Sequence, residues 1–311
     1  MPCIGVVGIG RVGSEVVKQL IRLDLADIVM IDINESRLRG EYLDLKHMAV
    51  EEGFSHELSF STDCKDLKDS NVVVICAGFP RIYGMSRDEL VAKNSQIVAG
   101  IATKVGEYAP HSCIIVVTNP VDVMTYVAWK ASRFDRMRVV GFGLQLDAAR
   151  MKCILSEKLG IPPSRIYVTL AGKHGDGIVV LKNFSYIDGK PLSKVVNKEL
   201  LEEVVALVEK CGDEIAKLKG HTSSYGPAAG ITKLVSSMIR GEGIYVSLSI
   251  VLCGEYGVND VAIGVPVVVC GPRVQSIVEL PMDEDERSKF LKAVERVEKL
   301  VDLAKKIASL P

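Results

Sequence analysis

Several classes of protein are excluded by what the chain lacks. It has no excess of either charge: 38 Lys and Arg stand against 39 Asp and Glu, a net charge of −1 with a pI near 6.5. No overall field therefore recruits nucleic acid or an anionic membrane. Long apolar runs are also missing. The stretch 261–270 is among the longest, and Gly264 and Pro266 interrupt it well short of a bilayer's thickness. Eight cysteines (Cys3, Cys64, Cys76, Cys113, Cys153, Cys211, Cys253 and Cys270) are scattered singly, without a Cys-x-x-Cys pair. They read as reduced thiols packed as small hydrophobes, and no metal site is expected. Amides are scarce, with four Gln and seven Asn, a bias shared with heat-stable chains. Internal repeats and low-complexity linkers are absent, and the N-terminus enters a strand-like run without a cleavable signal pattern, which points to the cytoplasm.

What is present is a core-forming composition, 48% hydrophobic and 25% charged, over a length that suits one large α/β domain or two ordinary ones. Residues 3–8, 26–32, 71–78, 112–119 and 136–143 are nearly continuous apolar runs, as strands buried on both faces should be. Helical patterns lie between them, clearest at 13–23 and 94–106. This alternation predicts a doubly wound parallel sheet over residues 1–143. Residues 144–311 read as a second, α+β domain. It should hold a helix at 147–159, strands at 166–171, 179–183 and 187 with a turn at Asp188-Gly189, a long amphipathic helix at 194–218 and another after Pro227. Strands at 244–252 and 265–270 follow, then a final helix opened by the acidic run 283–286, whose charges read as a solvated face.

Directly after the first strand comes Gly8-x-Gly10-x-x-Gly13, spelled Gly8, Ile9, Gly10, Arg11, Val12, Gly13. The first glycine permits a tight turn, the second lets backbone approach a pyrophosphate, and the third lets helix pack on strand. The second strand ends at Asp32, nineteen residues after Gly13, where a carboxylate can accept both ribose hydroxyls. The same carboxylate repels a 2′-phosphate, so NAD is favoured over NADP; Arg37 and Arg39, close downstream, could partly rescue NADP but are read first as exposed helix residues.

His174, in GKHGDG, sits between glycines just after a strand, where a sharp turn presents its side chain. A histidine titrating near neutrality can give a proton to a carbonyl that receives hydride. Taken alone, a loop histidine without a role is the default reading. Asp147 and Arg150 alter that, because i and i+3 share a helix face. One could hold the imidazole while the other clamps a carboxylate, the competing reading being a plain surface ion pair. Thr118-Asn119-Pro120 closes the fourth strand of the nucleotide half, where ligands meet parallel sheets, and Asn119 can bond a substrate hydroxyl. Two arginines, Arg81 and Arg87, lie six apart in the stretch FPRIYGMSR.

GxGxxG, Asp32, AGFPR with GMSR, TNPVD, LDAAR and GKHGD occur in the order and spacing of the L-malate/L-lactate dehydrogenase family, which the chain resembles over essentially its whole length. The resemblance implies an NAD-binding Rossmann domain, a substrate domain, and hydride transfer between nicotinamide and a 2-keto or 2-hydroxy acid. It implies His174 as proton donor and acceptor, Asp147 as its carboxylate partner, and Arg150 as the clamp on the C1 carboxylate. Asn119 would stand beside the reacting oxygen, Arg87 would polarise the carbonyl from a lid, and Arg81 falls on the specificity position, arginine where malate is the substrate. Asn94 and the backbone around Val117 and Thr118 match cofactor contacts. A dicarboxylate (malate or oxaloacetate) is thus the expected partner, in a cytoplasmic homo-oligomer, dimer or tetramer, of the tricarboxylic acid cycle. The chain departs from the family pattern at Lys173, where glutamate is common, at Ile82-Tyr83 in the lid, and at HTSSYGP, where Ser223 or Thr222 could be the pocket hydroxyl.

Overall fold

The computed structural model describes residues 1–79 and 87–308. Its nucleotide half alternates β1 (Cys3–Val7), α1 (Arg11–Leu23), β2 (Asp27–Ile31), α2 (Glu35–Glu52), β3 (Leu58–Ser61), β4 (Val72–Ile75), α3 (Arg87–Tyr108), β5 (Cys113–Val116), α4 (Val121–Ser132) and β6 (Val139–Gly141). The strand order is β3-β2-β1-β4-β5-β6, with every pairing parallel. β1, β2, β4 and β5 are almost wholly buried, which is why their sequences carry no polar alternation. Strand order reverses between β1 and β4, and ligands of such sheets bind in the crevice beyond the carboxyl ends at that point.

The remainder comprises α5 (Leu144–Leu159), β7 (Ile166–Tyr167), β8 (Leu170–Gly172), β9 (Ile178–Val180), β10 (Tyr186–Ile187), β11 (Lys190–Pro191), α6 (Leu192–Val195), α7 (Lys198–Lys219), α8 (Tyr225–Arg240), β12 (Ile244–Cys253), β13 (Asn259–Val269), β14 (Val274–Ile277) and α9 (Glu284–Ile307). The parallel sheet does not stop at β6: β12 pairs with it antiparallel at Ser249 and Gly141, and β13, β8 and β9 extend the same sheet. One apolar core runs through both halves, while a second gathers beneath α5 and α7. α1 packs against α8, and α9 packs against α3, α4 and β13.

Some expectations need correction. The strand expected at 166–171 is two, β7 and β8, which belong to different sheets. The helix expected at 194–218 is two: Val196 is extended, and the Asn197 side chain accepts from the Leu200 N–H at 2.9 Å, capping α7. The acidic run before α9 is not wholly a solvated face. Asp283 and Glu286 form a reciprocal capping box, and Glu286 is buried, accepting also from the Lys182 N–H at 3.1 Å. The expected turn at Asp188-Gly189 is present: both residues have positive φ, and they join β10 to β11. All eight cysteines are free thiols, and no residues among those described form a metal-ligating group. No described helix is long and apolar enough to cross a membrane.

Candidate active site

The glycines after β1 test the fit of a dinucleotide directly. Gly8 has φ +93°, and a Cβ there would lie 2.3 Å from the Ala77 nitrogen; one on Gly13 would lie 2.1 Å from the Gly8 oxygen. These two positions are closed by the protein itself. A Cβ on Gly10 would meet nothing within 4 Å, so that position faces open space at the N-terminus of α1, where phosphates are favoured. Ile9 is fully buried, and its N–H reaches the Asp32 carboxylate at 2.8 Å, locking the turn to the end of β2; Arg11 is exposed and Val12 half-buried.

Asp32 is only 7% exposed, and it also accepts from the Asn34 N–H at 2.9 Å and from Arg37 at 2.8 Å. Arg37 is thus an exposed helix residue, as expected, but it is ion-paired with Asp32. Asn94 is buried on α3. Its Oδ1 accepts from the Phe79 N–H at 2.6 Å, and its Nδ2 donates to the Asn119 carbonyl at 2.7 Å. Thr118 donates to the Ala77 carbonyl at 2.6 Å, and the Val117 N–H to the Ile75 carbonyl at 2.9 Å. Asn94, Val117, Thr118 and Asn119 therefore join the segments that follow β4 and β5, alongside the Gly8 turn.

Asn119, exposed, leads through a cis bond to Pro120 and into α4, whose first turn carries Asp122. Beside that turn stands His174. A Cβ on Gly143 would fall 2.7 Å from the Val121 side chain and 2.8 Å from the His174 Cβ, so only glycine lets the histidine loop approach the start of α5. Gly175, next to it, has φ +88°.

The His174 Nδ1 lies 2.6 Å from Asp147 Oδ2, and Asp147 Oδ1 accepts from Arg150 Nη1 at 3.2 Å. Asp147 is fully buried, so one carboxylate serves both the imidazole and the guanidinium. The i,i+3 ion pair is real, but it lies inside the protein. Arg150 makes no other hydrogen bond among the described residues, and its side chain is 14% exposed. A largely buried guanidinium with unused donors is a receptor for a planar anion. Gly212 of α7 leaves it room.

With Nδ1 held, Nε2 is the ring nitrogen without a partner among the described residues. Burial pulls the His174 pKa down, but the Asp147 charge and hydrogen bond, with Asp122 behind, outweigh it; the net direction is up from 6.5. Lys173 is buried and ion-paired with Asp176, bracing the turn that carries the histidine.

Arg81 lies outside the described residues, and Arg87 is the first residue of α3. Ser223 is half-buried just before α8 and Thr222 is exposed, with no hydrogen bond from either side chain to the His174 group among the described residues. Sequence reading missed Asp122: its Oδ2 accepts from the His174 main-chain N–H at 3.1 Å, and its Oδ1 accepts from Ser249. An acid in a helix's first turn is ordinary, and nothing in TNPVD signals that this one is buried.

Comparison with known proteins gives the family. Residues 3–141 match the family description "lactate/malate dehydrogenase, NAD binding domain", and residues 145–308 match "lactate/malate dehydrogenase, alpha/beta C-terminal domain". Malate dehydrogenase of Pyrobaculum aerophilum is 41% identical over 300 residues, covering 96% of this chain and 97% of that one. The structure of malate dehydrogenase from Aeropyrum pernix superposes with a TM-score of 0.93 at 37% identity, covering 96% and 97% of the two chains. A lactate dehydrogenase from Cryptosporidium parvum, complexed with lactic acid and nicotinamide adenine dinucleotide, superposes at 0.92 with 28% identity and 98% coverage of both chains. With NAD as its cofactor, the chain is an oxidoreductase belonging to the lactate/malate dehydrogenase family.

Proposed function

We propose that the chain interconverts (S)-malate and oxaloacetate, and that His174 moves the proton. The observation that carries the reading is the single buried carboxylate of Asp147, shared between the His174 ring and the Arg150 guanidinium. It sets a proton carrier beside an anion clamp.

When bound, the nicotinamide supplies or accepts the hydride. The protein's part is proton, charge and position. In reduction His174 gives the Nε2 proton to the carbonyl oxygen, and in oxidation it takes one from the hydroxyl. Asp147 holds Nδ1, fixing the ring's orientation and stabilising imidazolium. Arg150 grips the carboxylate next to the reacting carbon, and Asn119 bonds the reacting oxygen. Gly8, Gly10 and Gly13 seat the pyrophosphate, while Asp32 accepts the ribose hydroxyls.

The choice of a dicarboxylate rests on Arg81. Oxaloacetate carries two carboxylates and a carbonyl, and three arginines answer them: Arg150 and Arg81 on the carboxylates, Arg87 on the oxygen that becomes negative as hydride arrives. Relatives of about 40% identity named malate dehydrogenase support the same choice. A lactate dehydrogenase is the competing reading, and it would leave Arg81 facing an uncharged methyl. We place the boundary between cofactor and substrate halves at 143/144, and read the protein as a cytoplasmic homo-oligomer, dimer or tetramer, of the tricarboxylic acid cycle. Loss of NADH absorbance decides the substrate: oxaloacetate should support rapid turnover and pyruvate little. Equal or better rates with pyruvate would reverse the assignment.

A further inference from the structure

A second carboxylate besides Asp147 bonds to His174. Asp122 is 2% exposed, and it touches the histidine's main chain and not its ring, accepting the His174 N–H at 3.1 Å. Its other oxygen accepts from the hydroxyl of Ser249, which is fully buried on β12 at the one residue where that strand pairs with β6. Three segments far apart in sequence meet at this side chain: the start of α4, the histidine loop, and the strand that joins the parallel and antiparallel parts of the sheet. Burying a carboxylate costs free energy that two hydrogen bonds only partly offset, so neutral packing would be the cheaper way to fill the space. Burial holds the Asp122 carboxyl above the usual carboxylate range, and Ser249, the Lys173 charge and His174 draw it only part of the way back.

We propose that Asp122 is a positioning residue for proton transfer, fixing the main chain of His174 and placing a second negative charge near it. The inference rests on the acid–base role given above to His174. The charged groups facing this histidine are Asp147 and Arg150 from α5, Asp122 from α4, and Lys173 and Asp176 on its own loop. Glu209 of α7 adds its charge near Asp147 and Asp176, Arg296 of α9 donates to the Asp176 carbonyl, and β12 offers only the neutral Ser249. Asp122 is therefore the one carboxylate besides Asp147 that bonds directly to the histidine residue itself, apart from its own loop, among those described.

The test is the titration of His174 in the full chain carrying labelled histidine, followed by NMR, with His174→Asn identifying the resonance. Asp122→Asn keeps the size and one acceptor but removes the charge. It should lower the His174 pKa by on the order of one unit, move the pH profile of kcat/KM by the same amount, and leave the NADH dissociation constant unchanged. Asp122→Ala removes the brace as well, and kcat should fall by roughly 10²-fold, the cost of a small misplacement of a reacting group, with the KM for substrate little altered. Ser249→Ala, which leaves the carboxylate but removes a donor that favours its ionised form, should shift His174 in the same direction by less; it carries the test if the Asp122 variants do not fold. A His174 titration that superimposes on the wild type in the folded Asp122→Asn protein, or in Ser249→Ala, overturns the proposal. So does a loss confined to thermal stability. Because the titration needs no turnover, inactivity of the wild type toward oxaloacetate would count against the substrate reading and leave this one standing.

Discussion

The two ends of the site are built in different ways. At the proposed cofactor end a continuous stretch, Gly8 to Gly13, would do most of the work with its backbone, and one side chain, Asp32, would complete it from the end of the next strand. At the proton-transfer end the parts come from α4, α5, the 172–177 loop and β12, and they meet through buried charged side chains. Backbone geometry enforced by close contacts, such as the 2.1 Å gap a Cβ on Gly13 would leave to the Gly8 oxygen, is visible in the order of residues. A carboxylate shared between two partners is not, because its meaning depends on which residues the fold brings beside it. The first kind of site should fail through affinity, the second through rate and pH dependence.

The largest effect is expected where charge is matched to substrate. Arg81→Gln should depress oxaloacetate reduction while pyruvate reduction holds or rises, because a distal carboxylate desolvated in the site then has no counter-charge. Sites built around a polar partner reject ligands lacking it by about 10⁴–10⁵-fold, so the ratio of the two kcat/KM values should move by orders of magnitude. Equal losses on both substrates would mean that Arg81 and Arg87 are exchanged in role. A smaller effect should follow at the other end. Asp32→Asn removes the charge and one of the two acceptor oxygens offered to the ribose, and frees Arg37 from its ion pair. Hydrogen bonds to charged groups are worth about 1.5–3 kcal/mol, so the preference for NADH over NADPH should shrink by roughly tenfold or more, measured as the ratio of dissociation constants. An unchanged ratio would show that Asp32 does not choose the cofactor.

Much of the fold was legible. The five buried parallel strands were readable to within a few residues because they are nearly pure apolar runs. β3, with the sequence LSFS and every residue half-buried, carried no such signal, and neither did β14. β13 begins six residues earlier than expected because Asn259 and Asp260 disguise its start. Val196-Asn197 broke a helix that amphipathic spacing alone made continuous, although asparagine is a favoured cap. At the site, the meeting of His174, Asp147 and Arg150 was readable although a loop histidine and an i,i+3 acid–base pair are each ordinary, because the two fit together and their motifs occur in the order of one family. Asp122 and Ser249 were not, since residues 127 apart reveal their contact only through the topology that lays β12 against β6.

The smallest expected effect is on stability. The His174 pKa is raised in the folded chain, so its protonated form, paired with Asp147, contributes stability that is complete below about 6.5 and is lost as pH rises through the higher folded value. Wild type and His174→Asn should therefore differ more below that window than above it in thermal melts. A gap that widens with rising pH would mean the sign is wrong. The same titration divides the reaction: oxaloacetate reduction, which needs imidazolium, should weaken through the window as malate oxidation strengthens.

The comparison between the two ends is tested most directly by measuring NADH affinity and turnover side by side in Gly10→Ala and His174→Asn. In the first, the added methyl meets no protein atom within 4 Å but would stand where the proposed site receives the pyrophosphate. Its NADH dissociation constant should rise by about tenfold or more, equivalent to about 1.4 kcal/mol, with kcat at saturating cofactor near normal. In the second, NADH binding should stay within about twofold while kcat falls by about 10²–10⁴-fold, the range for losing a general acid–base group. If His174→Asn weakens cofactor binding as much as it slows turnover, or if Gly10→Ala lowers kcat and leaves affinity alone, the two ends are not separate constructions and the account is wrong.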